Sequence, residues 1–323
     1  MKTIVFFNNK GGVGKTTMVY HVAWMLSELK IKTIAIDLDP QSNLTSMFLD
    51  LNRLEEIYDK DLPVTIINSI SPTVSGDPYK QVHIEYITDN LGLIIGSLSL
   101  STYEYELSDA WLKCLNGKDY PFKVTSIFNS IIHDAVERSK AEVVLIDVGP
   151  NLGAMNRAVT VSSEYIIMPV ASDLFSLQGI KNLGTTLNIR KKEWDERTSR
   201  KPQNLNFLIP QGQAKPVGYI IMQYTAKESR PVKSYLKWAN RIPEFFSKYV
   251  LKINPAIKNI EEDKNCIALL KHYHSLAPMS MEAHKPMFLL RPADGAIGAH
   301  VYAVQKCYDE FKTLTKKILT VCN

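Results

Sequence analysis

Cysteine is scarce in this chain. Cys114, Cys266, Cys307 and Cys322 lie far apart and form no CxxC pair. That leaves no spacing for a thiolate zinc site or cluster within one chain and points to a reducing cytoplasm. Long apolar runs are also missing: no stretch of 18 apolar residues occurs, so no transmembrane segment is expected. The opening MKTIVFFNNKGG has one Lys and five apolar residues before two Asn. This is too short for the apolar region of a signal peptide and reads as a first β-strand. No internal repeat or low-complexity segment stands out. What is present has the balance of a globular protein: 323 residues, 45% apolar and 22% charged. The length suits one large domain or two small ones at about 100–200 residues each, and the apolar content excludes a disordered chain.

Charge is unevenly spread beneath a net +5. Residues 1–180 carry 14 Lys and Arg against 21 Asp and Glu, whereas residues 181–323 carry 24 against 12. A basic half suits a polyanionic partner, nucleic acid or an anionic membrane surface, or is a solvated face with no partner.

Short apolar runs alternate with amphipathic stretches. Thr3–Phe7, Thr33–Ile36, Leu91–Ile95, Glu142–Ile146, Tyr165–Val170 and Val217–Met222 read as strands. Helical spacing covers Thr16–Leu29, about Phe122–Ser139 and about Ala296–Leu319. Near-continuous apolar strands alternating with helices predict an α/β fold with a mostly parallel twisted sheet covered on both faces. Three regions break the rhythm: a polar one at about 51–87, an exposed basic loop at 190–215, and a mostly helical one at 228–270. None is long enough for a core of its own, so residues 1–323 read as one domain with elaborations.

The strongest signal is Asn9-Lys10-Gly11-Gly12-Val13-Gly14-Lys15-Thr16-Thr17. It follows a predicted strand and opens a predicted helix, the context a phosphate-binding loop requires. The glycines, with Val13 among them, let the backbone curl so that several N–H groups point at a phosphate, and the helix N-terminus adds its positive end. Lys15 reaches the β- and γ-phosphates, and the Thr16 hydroxyl completes a Mg²⁺ shell. A second lysine, Lys10, stands at the loop's start. Its own loop does not easily let it turn onto its own γ-phosphate, but it could reach a phosphate across a dimer interface.

KGGVGKTT resembles the deviant Walker A loop of the ParA/MinD group of P-loop ATPases. The resemblance continues at Asp37-Leu38-Asp39-Pro40-Gln41-Ser42-Asn43, similar to the group's D-x-D-P-Q-x-N motif. It extends to the Walker B-like strand ending at Asp147, and more weakly to Ser280–Ala283, Lys285-Pro286 and Gly295-Ala296. It covers about residues 1–50, 88–182, 216–226 and 275–318. After Asp147 the chain has Gly149 and Asn151 where the group usually has Pro and Ser.

The resemblance implies ATP and Mg²⁺ as ligands. Lys10, Lys15 and Asp39 would serve catalysis: Lys10 on the nucleotide of the partner subunit in an ATP-bound homodimer, Asp39 on the attacking water. Gly11, Gly12, Val13, Gly14, Lys15, Thr16 and Thr17 would hold the phosphates. Thr16, Asp37 and Asp147 would stand at the metal, and Met222 or Gln223 near the base. It also implies sequence-independent binding of double-stranded DNA in the ATP state and a ParB-like stimulating protein. The role would be partition or cargo positioning by a cytoplasmic, nucleoid-associated protein. Arg190, Lys191, Lys192, Arg230, Lys233, Lys237 and Arg241 are the candidate DNA contacts, the last three of the helical region spaced to share a face; Arg197, Arg200 and Lys201 belong to the same basic run. Two further readings stay open. One is a MinD-like membrane cycle using Phe311, Leu314, Ile318 and Val321 of the last helix, although few apolar residues and no Trp there fit core packing better. The other is a nucleotide-gated protein-interaction module in mobile-element maintenance or defence, docking a partner through the regions 51–87 and 228–270.

Overall fold

In the computed structural model the backbone is described for residues 1–59, 64–224, 226–227, 230–231, 233–254 and 259–323, with side chains for these except 224–235. Along the chain run β1 (Lys2–Phe6), α1 (Lys15–Glu28), β2 (Thr33–Leu38), α2 (Asn43–Phe48), α3 (Leu51–Tyr58), α4 (Ile66–Ile70), β3 (Glu85–Thr88) and β4 (Leu91–Ile94). Next come α5 (Leu100–Lys113), α6 (Asp119–Thr125), α7 (Ile127–Ser139), β5 (Val143–Val148), α8 (Ala154–Ser162), β6 (Tyr165–Val170) and α9 (Leu174–Ser199). The last part holds β7 (Lys215–Tyr224), a ribbon of β8 (Ala226–Lys227) and β9 (Arg230–Pro231), α10 (Lys233–Ala239), α11 (Ile242–Phe245), β10 (Cys266–Lys271), α12 (Leu276–Glu282) and α13 (Ala299–Val321).

The main sheet has eight strands in the order β10-β7-β6-β1-β5-β2-β4-β3. Every pairing is parallel except β3 with β4. β2, β4 and β5 are buried at every residue, as a sheet covered on both faces demands. The chain leaves β1 for β2 on one side and leaves β5 for β6 on the other, so the connections reverse direction at β1 and β5. Ligands bind such sheets at the carboxyl ends of the strands beside that reversal, and the loop after β1 lies there. One face is covered by α1, α2 and α13, through Met18, Val22, Leu44, Phe311 and Leu314. The other is covered by α5 and α7–α9, through Leu107, Phe128, Val159 and Ile180.

Both edge strands are tied by charge. On β3, Glu85 takes two hydrogen bonds of 2.9 Å from the Arg53 guanidinium. On β10, Lys271 bonds Glu310 at 2.9 Å, and Lys317 Nζ donates to the Cys266 carbonyl at 2.7 Å.

The expected strands are present, as is the fold class. Three details differ. β3 is an unforeseen antiparallel edge strand: its half-exposed EYIT lacks the apolar run that marks the others. The expected basic loop at 190–215 starts only after Ser199: residues 190–199 belong to α9, and 200–214 are irregular. The region 228–270 ends in strand β10, and its helical part is broken: α10 stops at Ala239 and Arg241 is the N-cap of α11. Arg241 therefore does not continue one helical face with Lys237. The last helix packs on the core through Phe311, Leu314 and Ile318, each at most 2% exposed, so these three residues face the core rather than a membrane. Among the described residues no helix is long and apolar enough to cross one.

Candidate active site

Residues 7–14 carry the chain from β1 into α1. Gly14 stands at φ 83°, a left-handed conformation that favours glycine. A Cβ there would also come within 2.8 Å of Met222 Cε. Met222 therefore backs the loop rather than standing apart from it. Lys15 begins α1, buried, with Nζ 3.4 Å from the Lys10 carbonyl. Burial pushes its ammonium below the ordinary lysine range, against the pull of Asp147 and Asp39.

Asp37 and Asp147 are register partners on β2 and β5. Asp37 is fully committed. Its Oδ2 accepts from the Thr45 N–H at 2.8 Å and hydroxyl at 2.7 Å, and its Oδ1 from the Asp39 N–H at 3.2 Å. Burial raises it to about 6 even so. Asp147 is buried with no hydrogen bond to either carboxylate oxygen. Burial, then the neighbouring Asp37, push it up to about 8, although Thr16 and Lys15 favour its charge. An orphaned carboxylate beside a hydroxyl and a lysine has the chemistry of a hard-cation site, which takes oxygen ligands. The residues present thus fit Mg²⁺.

Asp39 is 8% exposed, and its Oδ1 accepts from the Gln41 N–H at 3.0 Å. A Cβ at Gly149 would stand 3.3 Å from that oxygen. Lys10 does not reach outward: its Nζ is ion-paired to Asp173, the N-cap of α9. Burial opposes the charge of Asp173, but hydrogen bonds from Lys10 and Ser176 hold its carboxyl below the usual range.

A cavity of about 670 Å³ opens over the loop. Its walls include Gly11, Lys15, Thr16, Asp39, Pro150 and Gln223. A smaller one of about 140 Å³ adjoins it, lined by Met222, Gln223, Leu270, His272, Tyr273 and Phe311.

His21 escaped the reading of the sequence. It is buried on α1, its Nδ1 bonds the Thr17 carbonyl at 2.7 Å, and its Nε2 accepts from the Met287 N–H at 3.1 Å. Burial lowers it to about 4, so it is neutral and ties the phosphate-loop helix to the C-terminal segment. No local pattern marks such a contact, because the two residues are 266 positions apart.

Of the expected DNA contacts, Arg190 is 4% exposed and Arg197 5%; burial removes both from any nucleic-acid surface. Lys191, Lys192, Lys237 and Arg241 are exposed, and the last two lie over the Trp238 ring at 5.4 Å. Arg230 and Lys233 lie outside the described side chains.

A family profile described as "AAA domain" matches residues 1–199. An uncharacterised protein of Methanocaldococcus jannaschii is 30% identical over 237 residues, 72% of this chain and 77% of that protein. The chromosome-partitioning ATPase Soj of Treponema pallidum is 30% identical over 186 residues, 58% of this chain and 63% of Soj. The chain belongs to the ParA/MinD family of P-loop ATPases. Among solved structures, an ATP complex of Cyanothece McdA matches with a TM-score of 0.65 at 15% identity, covering 98% of this chain and 96% of that one; at that identity the likeness speaks for the fold. Members of this family are P-loop ATPases.

Proposed function

We propose that this chain is a Mg²⁺-dependent ATPase that dimerises in its ATP state, binds double-stranded DNA without sequence preference, and serves partition or cargo positioning. The observation that carries the reading is the unpartnered, buried carboxylate of Asp147 beside Thr16 and Lys15 at the phosphate loop.

In this reading the phosphates lie in the 670 Å³ cavity against the loop N–H groups and Lys15. The base enters the adjoining cavity against Met222 and Gln223. Thr16 and Asp147 hold the metal. Asp37 shapes the site from behind, since both its oxygens are already bonded. Mg²⁺ bound there would offset the phosphate charge as it builds on the leaving group. Asp39 orients the attacking water. Water adds to the γ-phosphorus, the bond to the β–γ bridging oxygen breaks, and ADP and phosphate leave. Lys10 exchanges Asp173 for the nucleotide of the partner subunit.

The naming of Soj as a chromosome-partitioning ATPase supports the partition role, as do exposed Lys191, Lys192, Lys237 and Arg241. A ParB-like protein is the expected stimulator.

The test measures ATP and DNA binding for wild type, Asp147→Asn and Lys10→Ala over a salt series, with Mg²⁺ or EDTA. Support would be Mg²⁺-dependent ATP binding that Asp147→Asn weakens at least tenfold, and ATP-dependent, salt-sensitive DNA binding that Lys10→Ala abolishes. ATP-driven dimers that ignore DNA even at low salt would overturn the partition role and turn attention to 51–87 and 228–270 as protein-docking surfaces.

A further inference from the structure

The loop after Asp147 borders the nucleotide cavity through Pro150, yet the side chains that anchor it come from helices behind it. Arg190 reaches from α9. Its Nη2 donates to the Leu152 carbonyl at 2.5 Å and the Gly153 carbonyl at 3.4 Å. Burial, then nearby Arg157, push this arginine down to about 10, so it is still charged at neutral pH. A buried guanidinium is costly unless its donors are used; here the loop carbonyls take Nη2, while Nη1 is left buried without a partner.

Glu104 reaches from α5. It accepts hydrogen bonds from the N–H groups of Ala154 and, at 2.8 Å, Met155. These are the first two residues of α8, whose own N-cap, Gly153, has no side chain to cap them. Glu104 caps α8 from another helix and sets a negative charge at its positive end. A Cβ at Gly153 would collide with Glu104 Oε1. Asn156 of α8 adds bonds to the Gly149 and Asn151 carbonyls at 2.7 and 2.6 Å.

The N-cap of the same α9 is Asp173, which holds Lys10. Residues 173 and 190 lie about 25 Å apart at 1.5 Å per residue. One helix thus grips the phosphate-loop lysine at its end and the post-Asp147 loop near its middle.

We propose that Arg190 and Glu104 are positioning residues for the loop 149–153, and that α9 couples this loop to Lys10. The catalytic consequence rests on the ATPase reading; the positioning does not.

Hydrogen exchange of wild type, Arg190→Lys and Glu104→Gln tests it, with Tm as the check on folding. Without nucleotide, both variants are expected to exchange segment 149–155 at least tenfold faster at a Tm within a few degrees of wild type. With a non-hydrolysable ATP analogue and Mg²⁺, wild type gains protection at 9–17, 149–155 and 174–192. The variants gain it at 9–17 but lose the response at 174–192. Their kcat falls at least tenfold while KM stays within twofold, and Arg190→Met is worse than Arg190→Lys. Unchanged exchange at 149–155 in folded variants overturns the positioning. An unchanged 174–192 response overturns the coupling. Should Arg190→Lys fail to fold, half-exposed Glu104 carries the test. A wild type that binds no nucleotide defeats the ATPase reading, while exchange without nucleotide still decides the positioning.

Discussion

Asp37 and Asp147 sit side by side on adjacent parallel strands, one with both carboxylate oxygens bonded and the other with neither. The pair is a ready contrast between scaffold and site. Asp37 fastens α2 to β2 through Thr45, whereas Asp147 is buried with both oxygens unbonded, at a cost to the fold.

That cost is measurable. Asp147→Asn is expected to stabilise the nucleotide-free protein by about 1–3 kcal/mol near neutral pH, because it removes a carboxyl that must take up a proton to be buried without a partner. It should also abolish the Mg²⁺-dependent gain in Tm with ATP. A destabilised Asn variant without ligand would contradict this account.

The pH dependence has a definite sign. A carboxyl raised to about 8 in the fold binds protons more tightly folded than unfolded. Its favourable contribution is complete below the ordinary 3.8 and is lost as pH rises through about 8. Asp37, raised to about 6, acts alike over a lower window. Denaturant titrations of the nucleotide-free protein should therefore show stability falling from these groups towards pH 8, with the slope between 6 and 8 absent in Asp147→Asn.

His21 has the opposite sign. Its folded value of about 4 lies below the ordinary 6.5, so its contribution is complete above 6.5 and is lost as pH falls through about 4. His21→Ala is expected to cost roughly 2–4 kcal/mol at pH 7 through the lost bond to Met287 and the cavity, and to flatten the acid limb. Urea unfolding at pH 7, 5.5 and 4 reads both effects.

Asp173→Asn should release Lys10. A partly exposed ion pair is worth only about 0–1 kcal/mol, and Asn still caps α9, so Tm should barely move. Sedimentation against ATP concentration should instead show dimers forming at least severalfold more readily. A dimerisation curve that matches wild type would place the restraint on Lys10 elsewhere.

On DNA, each of Lys191→Ala, Lys192→Ala, Lys237→Ala and Arg241→Ala that removes a phosphate contact should lower the salt slope by about 0.9. Fluorescence anisotropy over a salt series reads it.

The phosphate loop, the two strand-end aspartates and the parallel sheet were legible in the sequence because each is local: a glycine pattern between strand and helix, or an apolar run ending in Asp. The role of Arg190 was misread because charge alone says nothing about which side of a helix faces inward, and α9 turns Arg190 towards Leu152. His21, Glu104 and Asp173 were invisible for a related reason. Each acts on a backbone group or side chain brought near only by the fold, as when Glu104 caps a helix fifty residues downstream.

The charged ties on β3 and β10 bear on how copies of this chain can meet. A sheet whose outer strands offer free ladder groups invites strand-to-strand growth, and lysine or glutamate at the rim discourages it. Here Lys317 takes a carbonyl of β10, and Arg53 clasps Glu85 on β3. With both lateral edges of the sheet occupied by charged side chains, strand-to-strand growth into open-ended fibres is discouraged.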